Sequence, residues 1–322
     1  MEQFVEKLPD VSNIELAYNR IKYAVHKTPV LTAGSINSIL GAQVFLKCEN
    51  FQKVGAFKYR GATNAVLRLT DQETKCGVAT HSSGNHAAAL ALSAANRGIP
   101  AYIVMPENAP AIKKKAVAGY GGRIIFCTPT QKAREETLHK IQQETGATFI
   151  HPYNNFDVIC GQGTAALELV EAARSLDIVI APVGGGGLLS GTATYIKGKF
   201  PSMLVYGAEP RNADDAFRSL RDGIIHPSDS PKTIADGLLT SLCPLTYTIL
   251  SRKCDEILTV SENSIIEAMR MIWERMKIII EPSSAVPVAA MLENPQKFRR
   301  KRVGVIISGG NVDLDNLPWI KH

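Results

Sequence analysis

The chain has 322 residues, 45% hydrophobic and 20% charged, a composition that suits a soluble globular protein with a large core. Its net charge of +6, from 36 basic and 30 acidic residues, is spread along the sequence. Short clusters such as Lys113-Lys114-Lys115 and Arg299-Arg300-Lys301-Arg302 read as surface, so nucleic acid is excluded as a partner. No run reaches the roughly 18 apolar residues of a membrane helix, and the opening MEQFVEKLPD has no signal-peptide pattern. Six cysteines at Cys48, Cys76, Cys127, Cys160, Cys243 and Cys254 lack short paired spacings, which points to reduced thiols and a cytoplasmic location.

In chain order, the spacing predicts a helix from Val11 to Ala24 capped by Ser12 or Asn13, then a break at Thr28-Pro29. Gln43 to Cys48 reads as a strand. It leads into Phe51-Gln52-Lys53-Val54-Gly55-Ala56-Phe57-Lys58-Tyr59-Arg60-Gly61, a turn followed by a helix. Gly77 to His81, Ala101 to Pro106 and Gly122 to Cys127 are short apolar strands, with an alanine-rich helix to Arg97 after the first and a lysine-bearing helix before the third. A second series follows His151-Pro152-Tyr153: a strand from Asp177 to Val183, then Gly184-Gly185-Gly186-Gly187 and a helix, then a strand from Met203 to Ala208 ending at Glu209. Later come a helix near Ser264 to Lys277, a turn at Glu281 to Ser284, and a strand from Val303 to Ile307 that stops at Ser308-Gly309-Gly310-Asn311. Strands alternating with helices imply parallel sheets with covered faces, and two such series imply two α/β domains with a cleft between them.

Within this frame Lys58 stands out, because Gly61, Ala62 and Ala65 share its helix face. A lysine among such small residues either faces packed interior, where burial lowers its pKa and frees a nucleophilic amine, or snorkels past them to solvent. The tetraglycine loop at a helix start suits a phosphate, since bare amides and the helix dipole close on an anion; the alternative is a tight turn without a ligand. Its spacing is neither the dinucleotide fingerprint nor the nucleotide phosphate loop. Ser82-Ser83-Gly84-Asn85-His86 is a second anion seat of the same kind, able to hold a substrate carboxylate, or else a simple helix cap. A cofactor with one phosphate, an aldehyde and a ring nitrogen would use all of these features.

The stretches FQKVGAFKYRGATNAV, THSSGNHAAAL, VGGGGLLSG, GAEPRNADDA, ERMKIIIEPSSA and IISGGNVD, in that order, resemble the fold-type-II pyridoxal-phosphate enzymes. The likeness covers nearly the whole chain and lies in the branch of serine racemases and of threonine/serine and 3-hydroxyaspartate dehydratases. It implies a tryptophan synthase β-like fold of two open, largely parallel sheets. The large domain would be residues 1–76 and 156–322, and the small domain 77–155, with the cofactor in the cleft. It also implies that Lys58 carries pyridoxal 5'-phosphate and is the base on one face, with Ser83 as acid or base on the other. Phe57 would pack on the cofactor ring, Asn85 bond its phenolic oxygen, Gly184 to Gly187 hold its phosphate, and Ser308 face its ring nitrogen. A neutral serine there makes a weaker electron sink than a carboxylate, which suits β-elimination. Ser82, Ser83, Gly84, Asn85 and His86 would bind substrate. Arg134 stands where related racemases place an arginine near it, although its charged surroundings read equally as surface.

Glu209, Ala213 and Asp215 fall on the family's site for Mg2+, Ca2+ or Mn2+, while on sequence alone the carboxylates would also cap the helix near Asp214. Lys53, Tyr120, Lys277 and Asn311 match ATP-binding positions of the animal racemase. Ala33-Gly34 and Ala88 depart from that pattern, which counts against ATP activation. The expected activity is dehydration of L-serine, L-threonine or a related β-hydroxy amino acid, with serine racemisation also open to it, in a homodimer. The rivals are a primary serine racemase, a 3-hydroxyaspartate dehydratase, a β-replacement enzyme and a non-catalytic sensor on the same fold.

Overall fold

The computed structural model describes residues 8–82, 84–109 and 111–320. Among the described residues ten strands form in chain order: β1 Val30–Leu31, β2 Gln43–Cys48, β3 Val78–His81, β4 Ala101–Pro106, β5 Arg123–Cys127, β6 Thr148–Phe149, β7 Ile178–Pro182, β8 Leu204–Pro210, β9 Glu256–Val260 and β10 Arg302–Ile307. They make two sheets, ordered β1-β2-β10-β7-β8-β9 and β5-β4-β3-β6. Every pairing is parallel except β1 with β2. Parallel sheets must be covered on both faces, and β7 is accordingly buried at all its residues, as its unbroken apolar run requires. The fold is α/β, with helices flanking both sheets. No helix among the described residues is long and apolar enough to cross a membrane.

The helix Lys58–Arg68 lies against the helix Phe156–Ala172 at backbone distance, and small residues make that approach possible. A Cβ on Gly161 would fall 2.6 Å from Gly61 Cα, and one on Gly61 would fall 2.7 Å from Val158 O. Beside this crossing lies a closed cluster of buried charges. Arg60 bonds Glu49 through Nε and Nη2 at 2.6 and 2.8 Å, and Glu168 through Nη1 and Nη2 at 2.9 and 2.8 Å. Lys47 Nζ donates to Glu168 at 2.6 Å, and Thr28 Oγ1 donates to Glu49 at 2.5 Å. Burial would raise the Glu49 carboxyl, but Arg60 and then Lys47 overturn that and hold it below the ordinary carboxylate value. The cluster ties the helix that begins at Lys58 to β2 and to the helix of Glu168.

Two local expectations change. The first helix is Val11–Ile21, and its cap is Asp10, which with Asn13 forms a reciprocal capping box. Ser12 instead donates its hydroxyl to Asp10. The segment Glu281 to Ser284 is not a free turn but the start of the helix Pro282–Glu293, because proline at the first helical position sacrifices no hydrogen bond.

Candidate active site

A cavity of about 510 Å3 brings together Phe57, Lys58, Ser82, Gly84, Asn85, His86, Arg134, Gly184 to Gly187 and Ser308. Ser83 lies outside the described residues. Lys58 opens its helix, where the dipole disfavours a cation, and its Nζ donates to Pro152 O at 3.0 Å. Its pKa falls to about 8 through burial, opposed by the charge of Glu281. The ammonium also stands 5.2 Å from the Phe57 ring centre and 5.9 Å from that of Tyr153.

Across the cavity, β7 delivers the glycine loop to the helix Gly187–Lys199. The first amide of that helix to find a backbone acceptor is Ser190 N, on Gly186 O. Among the described residues no acceptor meets the N–H groups of Gly184, Gly185, Gly186 or Gly187. A Cβ on Gly185 would stand 2.4 Å from the Tyr153 ring, and one on Gly184 2.9 Å from Leu238 Cα, so only bare backbone fits there. Unmet amides at a helix start, facing a cavity that also holds a lysine of lowered pKa, fit a phosphate-bearing aldehyde cofactor.

The Ser308 segment is stapled to the Lys58 turn: Phe57 N donates to Ser308 O at 2.9 Å, and Ala56 pairs with Gly309. Ser308 is buried, with its hydroxyl 2.9 Å from that of Ser284. A neutral hydroxyl therefore occupies this place. Asn85 opens the alanine helix Asn85–Arg97. His86, next to it, has a ring nitrogen 3.0 Å from Ile150 O, and burial followed by the charge of Lys58 lowers its pKa to about 3. It is a neutral imidazole at working pH. Arg134 reaches the cavity from the helix Gln131–Thr145, and its Nε is buried without a partner among the described residues.

Several cavity residues escaped the sequence reading. Glu281 lies on the wall with its carboxyl raised to about 7 by burial and then by Asp236. Tyr153, His81, Lys113 and Asp236 also line it, the last two joined by a 2.5 Å ion pair. Glu281 carried a local helix-start signal, an acidic residue wedged between an apolar run and a helix-starting proline, but none that placed it on the cavity wall. Tyr153 carried none.

Glu209, Ala213 and Asp215 form a separate cluster at the end of β8, outside the cavity. Both carboxylates are fully buried. Glu209 accepts from Ala216 N at 3.1 Å and Phe217 N at 2.9 Å, so it does cap the helix Asp215–Asp222. Neither carboxyl oxygen of Asp215 has a partner among the described residues. Burial raises both pKa values, Glu209 well above its usual value with Asp215 adding repulsion, and Asp215 to about 6. Among the described residues no three His, Cys, Asp or Glu side chains gather as a metal cage. Two carboxylates and a backbone carbonyl nonetheless suit a hard cation that keeps water ligands.

Of the positions matched to nucleotide binding, Tyr120 and Asn311 line a second cavity of about 660 Å3, with Ala88 in its wall. Lys53 lies 5.7 Å from the centre of the Tyr59 ring, and Lys277 Nζ donates to Glu274 O at 2.6 Å.

The family described as pyridoxal-phosphate dependent enzyme matches residues 21–309, and the chain belongs to it. It is 52% identical over 312 residues to beta-hydroxyaspartate dehydratase of Paracoccus denitrificans (strain Pd 1222), covering 97% of this chain and 99% of that protein. The crystal structure of serine racemase from Dictyostelium discoideum superposes with a TM-score of 0.91 at 48% identity, over 95% of this chain and 99% of that one. The crystal structure of the T.th. threonine deaminase does so with a TM-score of 0.91 at 42% identity, over 95% and 99%. The protein is thus an enzyme of the pyridoxal-phosphate-dependent class.

Proposed function

We propose that this enzyme removes water from L-serine, L-threonine or a related β-hydroxy amino acid, releasing an enamine that hydrolyses to a 2-oxo acid and ammonia, with racemisation as a second outcome. The observation that carries the reading is Lys58, its pKa lowered to about 8, on the wall of one cavity with an amide-lined anion seat and a neutral serine. When bound, pyridoxal phosphate supplies the electron-withdrawing ring that acidifies the substrate's α-proton. Gly184 to Gly187 would hold its phosphate, Phe57 its ring face, Asn85 its phenolic oxygen and Ser308 its ring nitrogen. Ser82, Gly84, Asn85 and His86 would take the substrate carboxylate, and Lys58 Nζ the α-proton. Ser83 is assigned the opposite face, from which a proton could return with inverted configuration.

We assign Glu209, Ala213 and Asp215 to Mg2+, Ca2+ or Mn2+, supported by the unpartnered carboxylate of Asp215. Residues 1–76 and 156–322 are taken as the large domain and 77–155 as the small one, supported by the separate β5-β4-β3-β6 sheet. A cytoplasmic homodimer completes the reading. The six free thiols support the compartment, and family resemblance supports the dimer.

The test is Lys58→Ala, which should abolish turnover and the visible absorption of bound cofactor; retention of both would sink the proposal. A second reading concerns the substrate. The unpartnered Arg134 Nε beside His81 favours a side chain bearing its own carboxylate, as in 3-hydroxyaspartate. Arg134→Ala should then raise KM for 3-hydroxyaspartate far more than for serine, and equal changes would dismiss it.

A further inference from the structure

Asn85 is held by a directed relay. Val54 carries φ +57°, a strained value for a β-branched residue, and its carbonyl receives Asn311 Nδ2 at 2.7 Å. A carbonyl can only accept, so the amide of Asn311 has its nitrogen on that side. The same Nδ2 donates its second hydrogen to Asn85 Oδ1 at 2.9 Å. Asn85 Nδ2 then faces Glu281, whose two carboxylate oxygens lie at 3.2 and 3.1 Å. Glu281 is itself fixed, with its N–H on Gly309 O at 3.0 Å and Oε2 accepting from Asn311 N at 3.3 Å.

We propose that Glu281 and Asn311 are positioning residues that lock the Asn85 amide with its N–H edge, and not its carbonyl edge, turned toward the catalytic cavity. The inference rests on the proposed contact between Asn85 and the phenolic oxygen of pyridoxal phosphate. Asn85 Nδ2 has two hydrogens, and one shared between the two Glu281 oxygens leaves the other to be offered to that oxygen. Turned over, the amide would set its own oxygen against an electron-rich oxygen and lose a hydrogen bond as well. An asparagine without neighbours has little to choose between the two orientations. Here the choice is made at Val54, where a backbone oxygen fixes the direction of every bond in the relay.

The experiment compares pyridoxal phosphate affinity and the visible band of the wild-type holoenzyme with those of Asn311→Asp, Asn311→Ala, Glu281→Gln and Glu281→Ala. Circular dichroism of each apoprotein serves as the folding control. Aspartate at 311 has the shape of asparagine but sets oxygens against Val54 O and Asn85 Oδ1, which drives the Asn85 amide over. It should weaken cofactor binding about tenfold or more and move the band. Asn311→Ala should lose less, having no repulsion. Glu281→Gln keeps an acceptor for Asn85 and should bind close to wild type, whereas Glu281→Ala should not. A purely structural role predicts the reverse order at 311, because the aspartate preserves shape. Wild-type affinity and an unmoved band in Asn311→Asp, or equal losses in the two 311 variants, would overturn the inference alone. If Asn311→Asp does not fold, rescue by Glu281→Gln relative to Glu281→Ala decides it. A wild-type chain that takes up no cofactor would overturn the reading of the cavity itself.

Discussion

The Arg60 cluster and the Glu209–Asp215 pair bury charge to the same degree, and they do so under opposite rules. Around Arg60 the signs balance, with Arg60 and Lys47 against Glu49 and Glu168, and each of the four is hydrogen-bonded within the protein. At Glu209 and Asp215 burial raises both pKa values, with the Asp215 charge adding to the rise at Glu209 and Ser228 opposing it at Asp215, whose carboxyl oxygens have no well-formed hydrogen bond among the described residues. The cluster that completes itself serves architecture, holding the helix of Lys58 in place. The one that does not complete itself leaves buried lone pairs unmatched, which supports the proposed cation site.

Breaking the closed cluster should have the largest effect. Arg60→Ala leaves Glu49 and Glu168 facing Lys47 alone, and loss of one partner of a buried pair costs about 3–5 kcal/mol. Urea unfolding of the apoprotein should show that loss whether or not divalent cations are present. A change under about 1 kcal/mol would mean that water enters and replaces the guanidinium.

Completing the open site should act in the other direction. Saturating Mg2+ should raise apoprotein stability by about 3 kcal/mol at a hundredfold excess over its Kd, read as a higher melting temperature that a chelator reverses. Asp215→Asn should erase that response while leaving the metal-free protein no less stable, since it removes one of two repelling carboxylates. A response to Mg2+ that survives the substitution would place the cation elsewhere.

The same contrast explains what could be read from the chain alone. Alternating strands and helices, the tetraglycine turn and the Lys58 segment were legible because their signals are local: runs, spacing and chain-breaking residues. The Arg60 cluster was not, because Lys47, Glu49, Arg60 and Glu168 acquire meaning only when β2 and two helices meet. Glu281 and Tyr153 escaped for a related reason. Their place on the cavity wall depends on segments distant in the chain from Lys58 and from one another, which no periodicity encodes. The Asp10 cap was a smaller miss, where neighbouring polar residues competed for one position.

Lys58 lies between the two extremes, a half-buried cation whose lowered pKa is opposed by the charge of Glu281. Its folded pKa of about 8 is below its ordinary value of 10.5, so between these limits the unfolded chain binds more protons than the folded one. The contribution of Lys58 to apoprotein stability therefore rises with pH across that window, and its full cost is present below pH 8. For a half-buried side chain the cost is about 1–2 kcal/mol. Denaturation of wild type and Lys58→Met from pH 7 to 10.5 isolates the effect, because other titrating groups are common to both. Lys58→Met should be the more stable at about pH 7, with the gap closing as pH rises. A gap that does not change with pH would mean that the ammonium is solvated.

The smallest effect belongs to charges that water already serves. Arg270 and Glu274 pair at 2.7 Å, one turn apart on the exposed face of the helix Glu262–Met276, with side chains 59% and 53% accessible. Their mutual attraction competes with hydration, salt screening and side-chain entropy, so Glu274→Gln should cost the least of all these substitutions. That loss should vanish in high salt, whereas the loss in Arg60→Ala should not, because the Arg60 cluster is closed to ions. Salt dependence, more than magnitude, therefore separates a charge pair that the fold depends on from one that it merely displays. If high salt weakened the two effects in equal proportion, the Arg60 cluster would have to be open to solvent, and its contrast with the Glu209–Asp215 site would disappear.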